Sequence, residues 1–234
     1  MNNLDYEDYL KTLNKISRAI TSDLYLEDIL KLIVTLTANV IKAKVCNVWL
    51  IDEKKQEFNI KATQSMHQEY LNKRTIKLNE GIVGLVAREK KPKLIFNVLK
   101  EEQYKEKKLA RKEGLISMAS IPMMVKDKVI GVLNVYTNKP YEFSKAEISL
   151  LSTIANQVAV AIEKTELIVR TKIIQEELDT RKKTERAKGI LMEERNINES
   201  EAFSLIRKSS MDKRISMKEI AEAIILSYEI RQIK

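Results

Sequence analysis

Between Tyr141 and Lys188 the chain carries neither proline nor glycine. Those two residues are the strongest local breakers of helices. The run therefore predicts one long helix, with different material at its two ends. Before it, the apolar spacing mixes helix and strand; after it, every segment reads as helix.

The N-terminal side starts with two amphipathic helices. Leu10, Leu13, Ile16 and Ile20 form one stripe, and Ile29, Leu32, Ile33, Leu36 and Val40 a second, with a break near TSDLYLED. The period then shortens. KVCNVWLID and EFNIKAT flank the polar turn DEKKQE, which is a hairpin pattern. In LNEGIVGLVAREKKPKLI two glycines open a short helix, and Lys91-Pro92 ends it before a short strand. Asn97 to Gly114 is highly charged and reads as helix and loop. LISMASIPMMVKDKVIGVLNVYT reads as two strands around Lys126-Asp127-Lys128. Ser144, followed by Glu147, is a capping box that opens the long helix, with Ile148, Leu151, Ala155, Val158 and Ile162 at helical spacing. This order predicts an α+β sandwich around an antiparallel sheet.

Composition excludes several classes. The longest apolar runs, such as LIVTL and GILM, are too short to span a bilayer. MNNLDYEDYL has no apolar signal-peptide core, and the one cysteine, Cys46, fits a reducing cytoplasm. With Cys46 and His67 alone, no zinc or thiol-disulfide constellation is expected. Cys46 reads as a buried small hydrophobe and His67 as a surface residue. The net charge of +9 hints at an anionic partner. Most of the excess lies before residue 165, however; residues 165–234 hold 15 Lys+Arg against 13 Asp+Glu.

Residues 20–165 resemble a GAF domain. The resemblance lies in the order and spacing of VCNVWLID, NEGIVGLVAREKKP, SMASIPMMVKDKVIGVLNVYT and FSKAEISLLSTIANQVAVAIE. It implies a sensor module of residues 1–165 with a pocket near residues 64–118, binding an unknown small molecule or protein signal, or a dimerisation platform. Along β-type alternation, Val45, Asn47, Trp49 and Ile51 share one face and Cys46, Val48 and Leu50 the other. Asn47 and Trp49 are the candidate ligand wall; the alternative is a core tryptophan and an asparagine satisfied by backbone. The ligands that GAF-like haem, iron–sulfur or bilin sites need are missing, so no cofactor is expected. Sulfoxide reductases of this fold need more than one cysteine, so no enzyme is expected either.

Residues 166–178 continue the helix with a sparse apolar stripe, Ile168, Ile174 and Leu178. Such a stripe points to a coiled coil in a homodimer, although Thr165, Lys172 and Glu176 interrupt several registers. A solvated connector is the alternative. Residues 179–234 then divide into three helices. Asn198 with Glu201 and Ser216 with Glu219 are capping boxes, and SMDKR reads as the turn between the last two helices. Ala187, Ile190, Leu191, Phe203, Ile206, Ile220 and Ile224 are the expected core of an all-α three-helix bundle.

Cations cluster on this bundle. Arg181, Lys182, Lys183, Arg186 and Lys188 form one run, and Arg207, Lys208, Lys213 and Arg214 another. Two runs in one small bundle outweigh the reading of a solvated face. Residues 173–226 resemble an ANTAR domain, through Leu178, Arg181, ERAKGILM, Ala202, Phe203, LIRKSSM and ISMKEIAEAII. Lys182, Lys183 and Thr184 stand where the family commonly carries an aliphatic residue or two. The resemblance implies an RNA-binding module that grips paired hairpins in nascent leader transcripts and prevents terminator formation. It nominates Arg181, Arg186, Lys188, Gly189, Arg207, Lys208, Ser210 and Arg214 as RNA-binding, and the positive charge of the departing Lys182 and Lys183 adds those two to the set. Lys188 would contact phosphate and Ser210 would hydrogen-bond; Arg207 has the alternative of pairing with Glu194 or Glu199. The other readings are a dimeric DNA-binding regulator and a signalling module whose bundle docks a protein. Gly189 costs a helix about 1 kcal/mol relative to alanine. Its missing side chain serves either close packing beside Ala187 or close approach of RNA.

Overall fold

The computed structural model describes residues 3–65 and 74–233 and divides into two compact units, residues 1–165 and 166–234. His67 lies outside the described residues. In the first unit, α1 (Asn3–Ile20) and α2 (Leu26–Ile41) precede β1 (Val45–Asp52), β2 (Glu57–Thr63) and β3 (Thr75–Lys77). Next come α3 (Gly81–Glu89), β4 (Lys93–Ile95), α4 (Lys107–Glu113), β5 (Ser117–Val125) and β6 (Lys128–Thr137). The six strands form one sheet in the order β3-β2-β1-β6-β5-β4, with every pairing antiparallel. β3, too short to be read from periodicity, is an edge strand on β2.

Strand alternation sends β1 side chains into two cores. Cys46 and Val48 join Ile121, Leu133 and Val135 under α1, α2 and the start of α5 (Lys145–Arg195), where Ile33, Leu151 and Val158 are buried. Val45 and Trp49 enter the opposite core with Phe58, Val132 and Tyr136, covered by α3 and the segment around α4. Burial pushes the Cys46 thiol far above its ordinary value, so it behaves as a packing group. The Ser144–Glu147 capping box forms at the start of α5: each backbone N–H donates to the other's side chain.

In the second unit, α5 ends at Arg195, and α6 (Glu199–Lys213) and α7 (Met217–Gln232) follow. Both expected capping boxes form, Asn198 with Glu201 and Ser216 with Glu219. The turn expected at SMDKR is displaced. α6 runs on to Lys213 because Arg214 adopts the left-handed conformation, φ 54°, and its N–H closes on Met211 and Ser210 carbonyls. The core holds Ala187, Leu191, Ala202, Ile206, Ile220 and Ala221. One solvent-free alanine from each helix lets the three backbones approach closely. Phe203, expected in this core, is instead 41% exposed. It sits one residue past Ala202 on α6, about 100° around the helix from the buried face.

Candidate nucleic-acid interface and sensor pocket

The nominated cations separate by partner. Lys183 is half-buried and ion-pairs with Glu222 at 2.6 Å and Asp179 at 3.0 Å. Arg186 pairs with Glu229 at 2.7 Å, and Arg231 with Glu194 at 2.9 Å. The Lys183–Asp179 pair lies within α5; the others run between α5 and α7, as does Lys218 to Asp179 at 2.7 Å. Lys188 departs from the expectation of a phosphate contact. Its side chain is 9% exposed, and its ammonium lies between Glu185 at 2.8 Å and Glu199 at 2.6 Å. Hydrogen bonds to Glu185 and then Glu199 hold its pKa above the ordinary lysine value. It ties α5 to the first residue of α6.

Arg181, Lys182, Arg207, Lys208 and Arg214 are exposed and make no ion pair among the described residues. Arg207 therefore pairs with neither Glu194 nor Glu199. The Ser210 hydroxyl donates to the Ile215 carbonyl at 2.6 Å and closes the α6–α7 turn. Arg181 and Phe203 line one open cavity of about 450 Å3 together with Thr184 and Met217. Lys182 lines another with Arg186, Glu222 and Glu229. Arg207 follows Phe203 by one helical turn, so an exposed aromatic ring and a free guanidinium share a face of α6. Gly189 is exposed, and a Cβ built there meets nothing within 4 Å. Close packing is therefore not its role.

In the first unit Trp49 is completely buried and Asn47 is 1% exposed. The sheet register aligns Asn47 with Asn134 and Asn134 with Ser120, a polar row across β1, β6 and β5. The Ser120 hydroxyl donates to Asn134 Oδ1 at 2.7 Å. Asn47 Oδ1, Asn134 Nδ2 and Trp49 Nε1 are buried with no hydrogen-bond partner among the described residues. Natural cores leave few such atoms. The Arg74 guanidinium lies over the Trp49 ring, 5.4 Å from its centroid, and donates to Glu106 Oε1 at 2.6 Å. Arg74, Glu106, Ser120 and Asn134 were not nominated from the sequence. The readable signal was Asn134, a polar residue on the inward alternation between Val132 and Tyr136. Among the described residues no group of three or more His, Cys, Asp or Glu could hold a metal ion, and no helix is long and apolar enough to cross a membrane.

Residues 24–163 match the family model of the GAF domain, and residues 173–225 that of the ANTAR domain. The transcriptional regulatory protein PdtaR of Mycobacterium tuberculosis is 36% identical over 90 residues, covering 38% of this chain and 42% of that protein. A phosphoenolpyruvate-dependent phosphotransferase system protein of Escherichia coli is 26% identical over 158 residues, covering 68% of this chain but 21% of that protein. The chain thus spans less than half the length of these curated relatives. Among solved structures, the GAF domain of an Acinetobacter phosphoenolpyruvate-protein phosphotransferase is 29% identical with a TM-score of 0.61, covering 73% of this chain and 99% of that one. Free methionine-R-sulfoxide reductase from Neisseria meningitidis, 14% identical with a TM-score of 0.61 over 72% of this chain and 95% of its own, shares the fold alone. With a GAF domain over more than half its length and an ANTAR domain behind it, the chain belongs to the GAF–ANTAR family of two-domain regulators.

Proposed function

We propose that the protein is an RNA-binding transcription antiterminator, controlled by a ligand or partner at its GAF domain. The ANTAR bundle grips paired hairpins in a nascent leader transcript and keeps the terminator from forming. The observation that carries this reading is the set of exposed, unpaired cations beside an exposed phenylalanine on the ANTAR bundle. Hairpin loops offer unstacked bases, which stack on aromatic rings, while cations hold the phosphates. Arg181, Lys182, Arg207, Lys208 and Arg214 serve phosphates or base edges. Phe203 stacks a base, and Gly189 leaves room for close approach. Lys183, Arg186 and Lys188 hold the helices in place through their carboxylate partners.

Residues 166–178 act as the connector of a homodimer. Leu167, Ile174 and Leu178 are each about half exposed and spaced seven and four residues apart, which is coiled-coil spacing. Two bundles on one scaffold match two hairpins and gain avidity without new contacts. The test is a gel shift with a paired-hairpin leader RNA against duplex DNA of the same sequence. The RNA should bind more tightly, and charge reversal at Arg207 and Lys208 should abolish it. Tighter duplex binding, or RNA affinity indifferent to the reversals, sinks the reading.

A further inference from the structure

The segment KEKKLAR, residues 105–111, sets four cations around one carboxylate. Folded as the entry to α4, it meets Arg74 from β2–β3 and encloses an open cavity of about 680 Å3. Among the described residues, Arg74, Lys105, Lys107, Lys108 and Arg111 line it with Glu106 as the one acid, five cations against one carboxylate for a net +4. Like charges facing one space repel and hold a positive potential over it.

Glu106 is the internal answer to that field. It meets Arg74 at 2.6 Å, with side-chain exposures of 16% for Arg74 and 22% for Glu106. Burial pushes the Glu106 carboxyl above the ordinary range, and the Arg74 charge pulls it back. The carboxylate is thus desolvated and held by one partner. Arg74 presents a planar fork suited to carboxylate or phosphate oxygens. Its other face rests on Trp49, whose indole N–H has no acceptor. The cavity's charge, the exchangeable counter-ion and the orphaned indole meet at one guanidinium.

We infer that this cavity binds a small organic anion, whose carboxylate or phosphate group takes the Arg74 guanidinium in place of Glu106. The inference rests on reading the GAF domain as a sensor, and it supplies the chemical class of what is sensed. The remaining lysines and Arg111 answer the rest of the ligand's charge. Glu106, once released, returns toward solvent, and that exchange is the change of state available to the domain.

Trp49 is the chain's one tryptophan, so its emission reports this site in the full-length protein. The experiment titrates inorganic phosphate and, separately, succinate at ionic strength held constant with chloride. A saturable change in Trp49 emission with either probe is expected, and the stronger probe identifies the oxygen chemistry. Arg74→Met should raise the apparent Kd about tenfold or more, by loss of a charge-assisted fork. Glu106→Gln should lower it several-fold, because the internal competitor is gone. No saturable response to either probe overturns the proposal, as does an unchanged Kd in Arg74→Met or a weaker one in Glu106→Gln. Should Arg74→Met fail to fold by circular dichroism, Lys108→Gln with Arg111→Gln on the solvent side replaces it. Weaker binding then supports the site, and unchanged binding overturns it. A second arm repeats the leader-RNA titration with and without the effective probe. Changed RNA affinity supports sensing; unchanged affinity counts against sensing while anion binding stands.

Discussion

Gly131 and Gly189 show how differently the two units are built. At Gly131, where β6 lies against β1, a Cβ would stand 2.2 Å from the Trp49 carbonyl oxygen. At Gly189, on α5 of the bundle, it would meet nothing within 4 Å. Polar groups divide the same way. The GAF unit buries Asn47, Asn134 and the Trp49 indole with atoms left unmatched. The ANTAR unit pairs its one buried cation, Lys188, with two carboxylates and leaves its other described charges half-buried or exposed. The contrast teaches that a missing side chain or a missing partner means different things in the two places. In the sheet the missing side chain reflects crowding between β6, β1 and the core under α1 and α2, and the missing partners lie on the opposite face beside Trp49; on the bundle the missing side chain leaves open surface.

The largest expected effect lies in the sheet. Gly131→Ala should cost the GAF unit about 3 kcal/mol, because the clashing atom is backbone and cannot rotate away. Urea unfolding followed by Trp49 emission measures it. A loss below about 1 kcal/mol would show that β6 can shift and would break the contrast.

Next is the charge on the bundle. Replacing Arg207, Lys208 and Arg214 with glutamine should weaken leader-RNA binding about tenfold or more and make the log–log salt slope shallower by about two. The same replacement at Lys183 and Arg186 should alter the slope less, since Glu222 and Glu229 already neutralise them. Equal changes in slope for the two sets would erase the division between free and paired cations.

The pH dependence contributed by Glu106 in the GAF unit and by three carboxylates of the bundle should carry opposite signs. Asp179 is held below its ordinary value by hydrogen bonds from Lys218 and then Lys183, Glu199 by Lys188, and Glu219 by the Ser216 hydroxyl. A depressed carboxyl stabilises the fold above its unfolded pKa and stops doing so as pH falls through the folded one. The bundle should therefore soften as pH drops below about 4. Glu106 is raised by burial, so the folded GAF unit binds its proton more tightly than the unfolded chain. Its contribution declines as pH rises from 4.5 through the raised value. Hydrogen exchange read peptide by peptide separates the segment around Glu106 from the bundle, and the same sign in both would contradict these assignments.

The smallest effect sharpens the comparison. Gly189→Ala should stabilise the bundle by about 0.5–1 kcal/mol, since helix propensity rises with nothing to clash. RNA affinity in the folded protein should fall, because a methyl group enters the proposed approach. A lower melting temperature would revive the packing role.

Much of the fold is legible because it is local. Each of the three capping boxes joins residues three apart, and the alternation of β1 into two cores follows from a period of two. Two local readings still miss. α6 outruns its expected end because Arg214 takes a left-handed cap usually given to glycine. Phe203 is apolar but lies off the stripe marked by Ala202 and Ile206.

The sequence by itself determines the order of elements, the place of the long helix, the family of each half and the identity of the basic runs. Tertiary structure alone decides which cations are free. Lys188 and Arg207 look equivalent in the chain, yet the first meets Glu199 across the α5–α6 turn and the second meets no carboxylate among the described residues. It also brings Arg74 to Glu106 and Trp49, across a sheet order that no local pattern announces. The physical reason is range. Caps and alternation depend on neighbours within one helical turn or one strand, whereas an ion pair or an orphaned polar atom depends on which elements pack together.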